Sequence, residues 1–446
     1  MCSLLVASLL FGVILYKAPA YTYQAFWSER FRGPLAAALA SASVAVGMFV
    51  LGFQKSAAHR KTKFWFPLVT SVMVVLVSLF LAEISLRAAV KRDPLGMRLG
   101  RIALAPYDWK EFAALNRAFL ERTRSKTSFY IEDPVLGWTI GSSRESNDGM
   151  YKSSEEGLRS ITRGARLASG EAMHRVALFG DSFTFGDDVP FEQSWGHFLE
   201  LQLGAGAQVL NFGVDGYGID QTYLRFKNEV ANWTPQVSIL AFIQDDLYRN
   251  VSVYPFFRLS WERPFSKPRF SVTGTKLQLW NVPNIPPDRI FEKSSTRDLP
   301  FLEYDGNFDA FWWEQHALYR SYLVRFMATK FPRWSTPNAQ TSDDAAVQLG
   351  IRLIEEFVEA ARNQKTAALV VYLPSRNDFT GAGAVLAKRV REDLGFRNIE
   401  VQDMTSCLTD HVPPASLFVE GKPHYSGEGN RALATCLQPV VASYLN

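Results

Sequence analysis

The residues best suited to chemistry are gathered in Arg175-Val-Ala-Leu-Phe-Gly-Asp-Ser-Phe-Thr-Phe-Gly186, where an apolar strand runs directly into Gly180-Asp181-Ser182. A serine presented at the carboxyl end of a strand is where α/β proteins place nucleophiles, because loops converge there on a ligand crevice. Its hydroxyl attacks poorly until a base removes the proton. Histidine is the expected base, and the chain has six. His59 falls in an N-terminal basic loop, His174 precedes the strand at the wrong edge, and His197 falls on the following helix. His316 lies in a long insertion and His411 in a loop after the last strand. His424 sits in Gly421-Lys-Pro-His-Tyr-Ser-Gly-Glu-Gly-Asn430, a turn-rich loop opening the last helix, from which a side chain can swing over the sheet edge. The competing reading is a solvated loop histidine.

These residues need a parallel sheet to bring them together. Short apolar runs predict strands at Val176–Phe179, Gln208–Phe212, Val237–Phe242, Ala367–Leu373 and Ile399–Gln402. Helical periodicity predicts helices at about 191–203, 219–232, 346–364, 382–393 and 427–443. Such alternation implies a parallel sheet covered on both faces. An insertion at about 247–345 holds a predicted hairpin, Arg269 to Trp280, turning at Thr273-Gly274. It also holds an aromatic helical stretch from Phe311 to Tyr319, readable as insertion core or as a sugar-stacking surface. Residues 91–172, including Asp133-Pro-Val-Leu-Gly-Trp138, read as a juxtamembrane stalk, and 173–446 as the catalytic domain.

Gly180-Asp181-Ser182 after the first strand, Asn211-Phe-Gly-Val-Asp-Gly-Tyr-Gly218 after the second, and His424 followed by Gly429-Asn430 resemble the GDSL/SGNH hydrolase superfamily. The resemblance covers about 175–446 less the insertion, and it implies a three-layer α/β/α sandwich. It also implies Ser182 as nucleophile, and an oxyanion hole from the Ser182 and Gly216 N–H groups, with Gly213 the rival glycine. Two places depart from the family pattern. Phe242-Ile-Gln-Asp-Asp-Leu247 puts Asp245 where the family has an asparagine amide, and an ionised carboxylate would oppose a developing oxyanion. Either Asp245 is held protonated and favours acidic pH, or Gln244 supplies the amide, or catalysis is lost. The family's acid two or three residues before the histidine is replaced by Gly421 and Lys422, leaving Glu420 as candidate orienter or a Ser–His dyad. Asp181 is expected to fix the turn by accepting backbone N–H groups.

With 446 residues, 47% hydrophobic and 21% charged, the chain suits a globular core plus membrane-embedded sequence. A net charge of +4 without a basic, aromatic-interleaved stripe excludes a nucleic-acid partner. Apolar runs at Leu4–Tyr16, Pro34–Phe53 and Phe64–Ala82 predict two to three transmembrane helices within residues 1–90. Lys55, Arg60, Lys61 and Lys63 argue for a cytoplasmic hairpin and an exported C-terminal domain, while Arg87, Lys91, Arg92, Arg98 and Arg101 argue the reverse. Membrane-anchored bacterial members of the family resemble this layout and tip the expectation toward the periplasm. Of three cysteines, Cys2 lies in the first run, and Cys407 and Cys436 are either a disulfide or two buried thiols, with no zinc spacing. The resulting expectation is a membrane-bound serine esterase or deacylase acting on acylated envelope glycan or lipid, without metal or cofactor. O-acetyl transfer to an exported polysaccharide and a silent binding scaffold are the alternatives.

Overall fold

The computed structural model describes residues 65–93, 96–100, 102–124, 128–167, 174–258, 263–274, 276–314, 317–330, 343–379 and 385–445. The first two apolar runs, Cys2, His59 and His316 lie outside them. The described chain forms two compact units, one of residues up to Phe112 together with 310–336, the other of 113–309 and 337–446. The division falls inside the segment expected to be a stalk and inside the insertion.

The larger unit is built on five strands: β1 (His174–Phe179), β2 (Ala207–Asn211), β3 (Val237–Phe242), β4 (Ala367–Tyr372) and β5 (Val401–Asp403). Their order is β5-β4-β3-β1-β2, every pair parallel. The described helices that pack with them or follow them include α1 (Ser182–Phe185), α2 (Trp195–Leu203), α3 (Ile219–Trp233), α4 (Gln244–Arg249), α5 (Asp343–Asn363), α6 (Val385–Phe396), α7 (Thr405–His411) and α8 (Gly427–Ser443). Successive strand residues point to opposite faces. Ala177, Phe179, Leu240 and Phe242 therefore enter one core with Phe226 of α3, Phe357 of α5 and Val390 of α6. Val176, Leu178, Ile239 and Ala241 enter a second with Leu199 of α2, Leu408 of α7 and Leu433 of α8. This is an α/β/α arrangement. The order reverses between β1 and β3, so the crevice outside their carboxyl ends is where such sheets bind ligands.

The hairpin forms as Arg269–Thr273 against Lys276–Trp280, with Gly274 at φ 63° in the turn. A disulfide joins Cys407 of α7 to Cys436 of α8.

In the smaller unit the third apolar run lies in a 25-residue helix, Trp65–Ala89. Among the described residues no helix is long and apolar enough to cross a membrane, so the expected spans find no support there. The aromatic stretch forms a short helix, Ala310–Trp313, in which Phe311 and Trp313 are buried. Trp313 packs 4.9 Å from Tyr107 and 5.1 Å from Phe112, ring centre to ring centre, as core packing and not as an exposed stacking surface.

Candidate active site

The turn after β1 is forced by crowding. A Cβ on Gly180 would lie 2.1 Å from Thr184 Oγ1 and 2.7 Å from the Ala241 carbonyl oxygen, so only glycine lets the chain pass this close to β3. Asp181 then caps α1, accepting the Phe183 N–H at 2.9 Å. Its other oxygen accepts from Arg249 Nη1 at 3.0 Å, and the same nitrogen reaches Asp246 at 2.7 Å. Burial pushes the Asp181 carboxyl up, opposed by that arginine. This knot holds the ends of β1 and β3 at a common edge and sets Ser182, only 1% exposed, at the first helical position.

His424 Nε2 lies 2.9 Å from Ser182 Oγ. Its Nδ1 lies 2.6 Å from Asp188 Oδ2 and 3.9 Å from Asp187 Oδ2. A carboxylate accepting from Nδ1–H leaves Nε2 as an acceptor for the serine proton, which is the tautomer a general base requires. Glu420 is exposed and is not the orienting acid. The backbone explains the correction. Val419 N–H donates to the His424 carbonyl and Lys422 N–H to the Val419 carbonyl, a tight loop that carries Glu420 outward. The acid comes instead from the turn leaving α1, where Asp188 sits at φ 63°.

Buried contacts hold that turn. Arg159, itself 1% exposed, donates to the carbonyls of Phe185 at 3.0 Å, Gly186 at 2.6 Å and Val189 at 2.6 Å. Its guanidinium lies over the rings of Tyr151 and Phe185 at 4.7 and 4.2 Å. Burial lowers its pKa to about 10, leaving it charged at neutral pH. The Tyr151 hydroxyl donates to Asp187 and accepts the Asp188 N–H. Lys422 Nζ lies 3.2 Å from the second Asp188 oxygen. Burial raises the Asp187 carboxyl, and nearby Asp215 adds to the rise.

The histidine loop is pinned as well. Arg376 donates to the carbonyls of Val419 and Lys422, and Tyr425 OH to that of Pro374. Phe183 packs edge-on to the imidazole at 5.2 Å.

Two backbone donors point to an oxyanion hole. Among the described residues Ser182 N–H, at the first position of α1, has no acceptor, and neither has Gly216 N–H, which sits at φ 80°. Gly213, the rival, is excluded because its N–H donates to Asn211 Oδ1 at 2.9 Å. Trp138 supports the Gly216 turn by donating from Nε1 to the Asp215 carbonyl at 3.0 Å. Thus residues 128–167, expected to be a stalk, supply a wall of the site and the anchors of its acid.

Asp245 shares the edge and lines the same cleft, but it is no neutral hydrogen-bond donor. Desolvation would raise its carboxyl, yet Arg258, at 2.8 Å, and Arg249 hold it below the usual carboxylate range. Gln244 also lines the cleft, with Oε1 accepting from the first turn of α6 at 3.0 Å from Leu386 N. The cleft measures about 1300 Å³ and brings together Ser182, His424, Gly216, Gln244, Asp245 and Arg249. His174 and His197 do not line it, and His411 caps the end of α7 through the Cys407 carbonyl. Cys407, His411 and Cys436 cluster, but the disulfide consumes both thiols. The arrangement is that of an acyl-transferring serine centre: nucleophile, base, orienting carboxylate and two free N–H donors.

No protein-family model matches the chain, and no curated protein sequence matches it. Among solved structures it is similar to a member of the lipolytic protein G-D-S-L family from Veillonella parvula, at 12% identity and a TM-score of 0.32, over 60% of this chain and 97% of that one. It is similar to a carbohydrate acetylesterase family member from Sinorhizobium meliloti, at 14% identity and a TM-score of 0.30, over 61% and 99%. An acetylxylan esterase from Geobacillus stearothermophilus is similar at 12% identity and a TM-score of 0.34, over 60% and 94%. Likeness at this level assigns no activity, which rests on the residues of the site.

Proposed function

We propose that this chain is a serine hydrolase of the GDSL/SGNH type that cleaves carboxylic esters. The observation that carries the reading is the continuous relay from Ser182 Oγ to His424 Nε2 at 2.9 Å and from His424 Nδ1 to Asp188 at 2.6 Å. Ser182 Oγ bonds to the ester carbonyl carbon while its proton passes to His424 Nε2. The carbonyl oxygen gains the negative charge and accepts hydrogen bonds from Ser182 N–H and Gly216 N–H. Collapse breaks the bond to the alcohol, which leaves with the histidine proton. Water then attacks the acyl-serine by the same route, releasing the acid and restoring Ser182. Asp188 stabilises the imidazolium formed in each half.

The substrate class we favour is an ester-linked acyl group on a cell-envelope glycan or lipid. A cleft of about 1300 Å³ exceeds the roughly 300–1,000 Å³ of an ordinary small-molecule site and suits a bulky alcohol component. The Cys407–Cys436 disulfide suits an oxidising compartment. The three N-terminal apolar runs and the exposed Leu76, Phe80 and Ile84 of helix Trp65–Ala89 support a membrane anchor.

Labelling with a fluorophosphonate probe tests the activity. Wild type should be labelled and Ser182→Ala should not; an unlabelled wild type, or labelling that survives the substitution, sinks the reading. A C-terminal alkaline phosphatase fusion tests the compartment and should be active.

A further inference from the structure

Away from the catalytic unit, the smaller unit contains a cavity of about 500 Å³ lined by four arginines, Arg87, Arg92, Arg320 and Arg325, with Tyr319 and Tyr322. Among the described residues, two carboxylates act on these arginines, Glu83 on Arg87 and Asp108 on Arg325. Glu83 is bonded to Arg87 at 2.7 Å and to the Ser321 hydroxyl and the N–H groups of Tyr322 and Leu323, where it caps the helix Tyr322–Lys330. Asp108 opposes the fall of the Arg325 pKa electrostatically and accepts the N–H groups of Lys110 and Glu111. Arg87 lies over the Tyr322 ring at 4.6 Å and donates to the Arg320 carbonyl. Arg325 is 7% exposed and donates to the carbonyls of Tyr319 and Pro106. Burial pushes its pKa down, and Arg92 adds to this. The side chains of Arg92 and Arg320 have no partner among the described residues. The cavity therefore concentrates positive charge beyond what its own acids neutralise.

The cavity sits at the end of a helix that exposes apolar side chains on several faces, Leu76, Val77, Leu79, Phe80, Leu81 and Ile84, and one stripe of them leads to it. Leu76, Phe80, Ile84 and Arg87 follow one another on helix Trp65–Ala89 at spacings of four, four and three, which places them on one face. Leu76, Phe80 and Ile84 are 55%, 64% and 47% exposed. At about 1.5 Å per residue the stripe rises roughly 16 Å from Leu76 to Arg87. That is close to the hydrocarbon depth of one leaflet, half of a bilayer core of about 30 Å. A water-exposed phosphate site would have no use for this apolar approach. Guanidiniums are the groups best shaped to take a phosphate in bidentate fashion.

We infer that the arginine cavity binds the phosphate head group of an anionic phospholipid whose acyl chains lie along the Leu76–Ile84 face. The inference rests on the membrane-anchor reading. Head-group capture fixes the depth of the helix end at the lipid surface, so the leaflet's composition bears on how firmly the smaller unit is held. Arg87 and Arg325 hold backbone carbonyls, which leaves Arg92 and Arg320 as the groups available to the ligand.

The full chain, purified in a neutral detergent, is titrated with phosphatidylglycerol or phosphatidylcholine of matched acyl chains and read by native mass spectrometry. Wild type should prefer phosphatidylglycerol. The double variant Arg92→Gln/Arg320→Gln should bind it about 25-fold more weakly, about fivefold for each charge lost near a lipid surface, with phosphatidylcholine binding unchanged. The two positions are exposed, and an unaltered melting temperature without lipid verifies that the variant is folded. Equal phosphatidylglycerol affinity in both proteins, or no preference over phosphatidylcholine, overturns the inference. Displacement of the lipid by an equal concentration of inorganic phosphate also overturns it, in favour of a free-anion site. Alkaline carbonate extraction separates the two levels of the reading. Release of the wild-type chain sinks the anchor, whereas retention together with unselective lipid binding sinks the head-group site alone.

Discussion

Asp188→Asn removes one negative charge 2.6 Å from His424 Nδ1 and leaves an amide of nearly the same shape in its place. The carboxylate matters most when the imidazole is protonated, in the transition state of each half-reaction. Opposite charges at about 4 Å attract by roughly 4 kcal/mol at an effective dielectric of about 20. Two features discount this value. The Asp188 side chain is 17% exposed, and its second oxygen is shared with Lys422 at 3.2 Å. A loss of roughly 2–3 kcal/mol remains, which is about a 30- to 150-fold fall in kcat. Should the amide turn its NH2 toward Nδ1, the wrong tautomer is favoured and the loss moves toward the roughly 10⁴-fold seen when a triad acid is made neutral. Asp187, 3.9 Å from the same nitrogen, is placed to substitute in part, so Asp187→Asn/Asp188→Asn should fall further than either single variant. The assay is steady-state hydrolysis of a small aryl acetate, with Glu420→Gln as the comparison, expected within twofold of wild type. A fall of less than threefold in Asp188→Asn, or an equal fall in Glu420→Gln, refutes the assignment of the acid.

Asp245→Asn should change aryl-acetate turnover by no more than about threefold and shift no pH optimum, because the carboxyl is already ionised beside Arg258 and stands 51% exposed; a tenfold gain near neutral pH would show that its charge does oppose the oxyanion. Replacing both Cys407 and Cys436 by serine opens a loop spanning 29 residues and should lower unfolding free energy by about 3.5 kcal/mol in a denaturant titration, with reductant harming wild type alone. Asp305 is fully buried and raised to about 6 by that burial, despite accepting the N–H groups of Val253, Tyr254 and Asn307. Its folded-state pKa exceeds the unfolded value of 3.8, so its stabilising share is complete below about pH 4 and is lost as pH rises through 6. The penalty of Asp305→Ala should therefore shrink by about 3 kcal/mol between pH 3.5 and pH 7, and a pH-independent penalty would count against it.

The sheet was legible because its strands are short apolar runs; β3 has the expected bounds, and the others differ by one or two residues at one end or, for β2 and β5, at both. Ser182 and His424 were legible because a nucleophile and its base need special backbone, and glycine-rich turns mark it in the chain. The acid was hidden for the opposite reason. An orienting carboxylate has to reach one nitrogen and imposes no motif on its own neighbours, so Asp188 reads as an ordinary turn residue after Gly186. The available signal was two adjacent acids within six residues of the serine, at the edge where the histidine must also arrive. Residues 128–167 escaped because their strands are two to four residues long, too short to show a period. Their contribution is made by single side chains, Trp138, Tyr151 and Arg159, whose partners are distant in sequence.

The position of Asp188 changes how the triad can come apart. Nucleophile and acid ride on one short segment, 182–188, clamped from behind by Arg159, while the base arrives alone on the loop before α8. Where acid and base share a loop, displacement of that loop breaks the serine contact and leaves the imidazole oriented. Here, moving the 419–424 loop breaks both imidazole bonds in the same event, so the relay has no half-assembled form. On the proposed function, assembly of the triad then depends on the placement of one loop. Its governing residues are Arg376 and Tyr425, which touch neither Ser182 nor Asp188 but hold the histidine's loop in register with both.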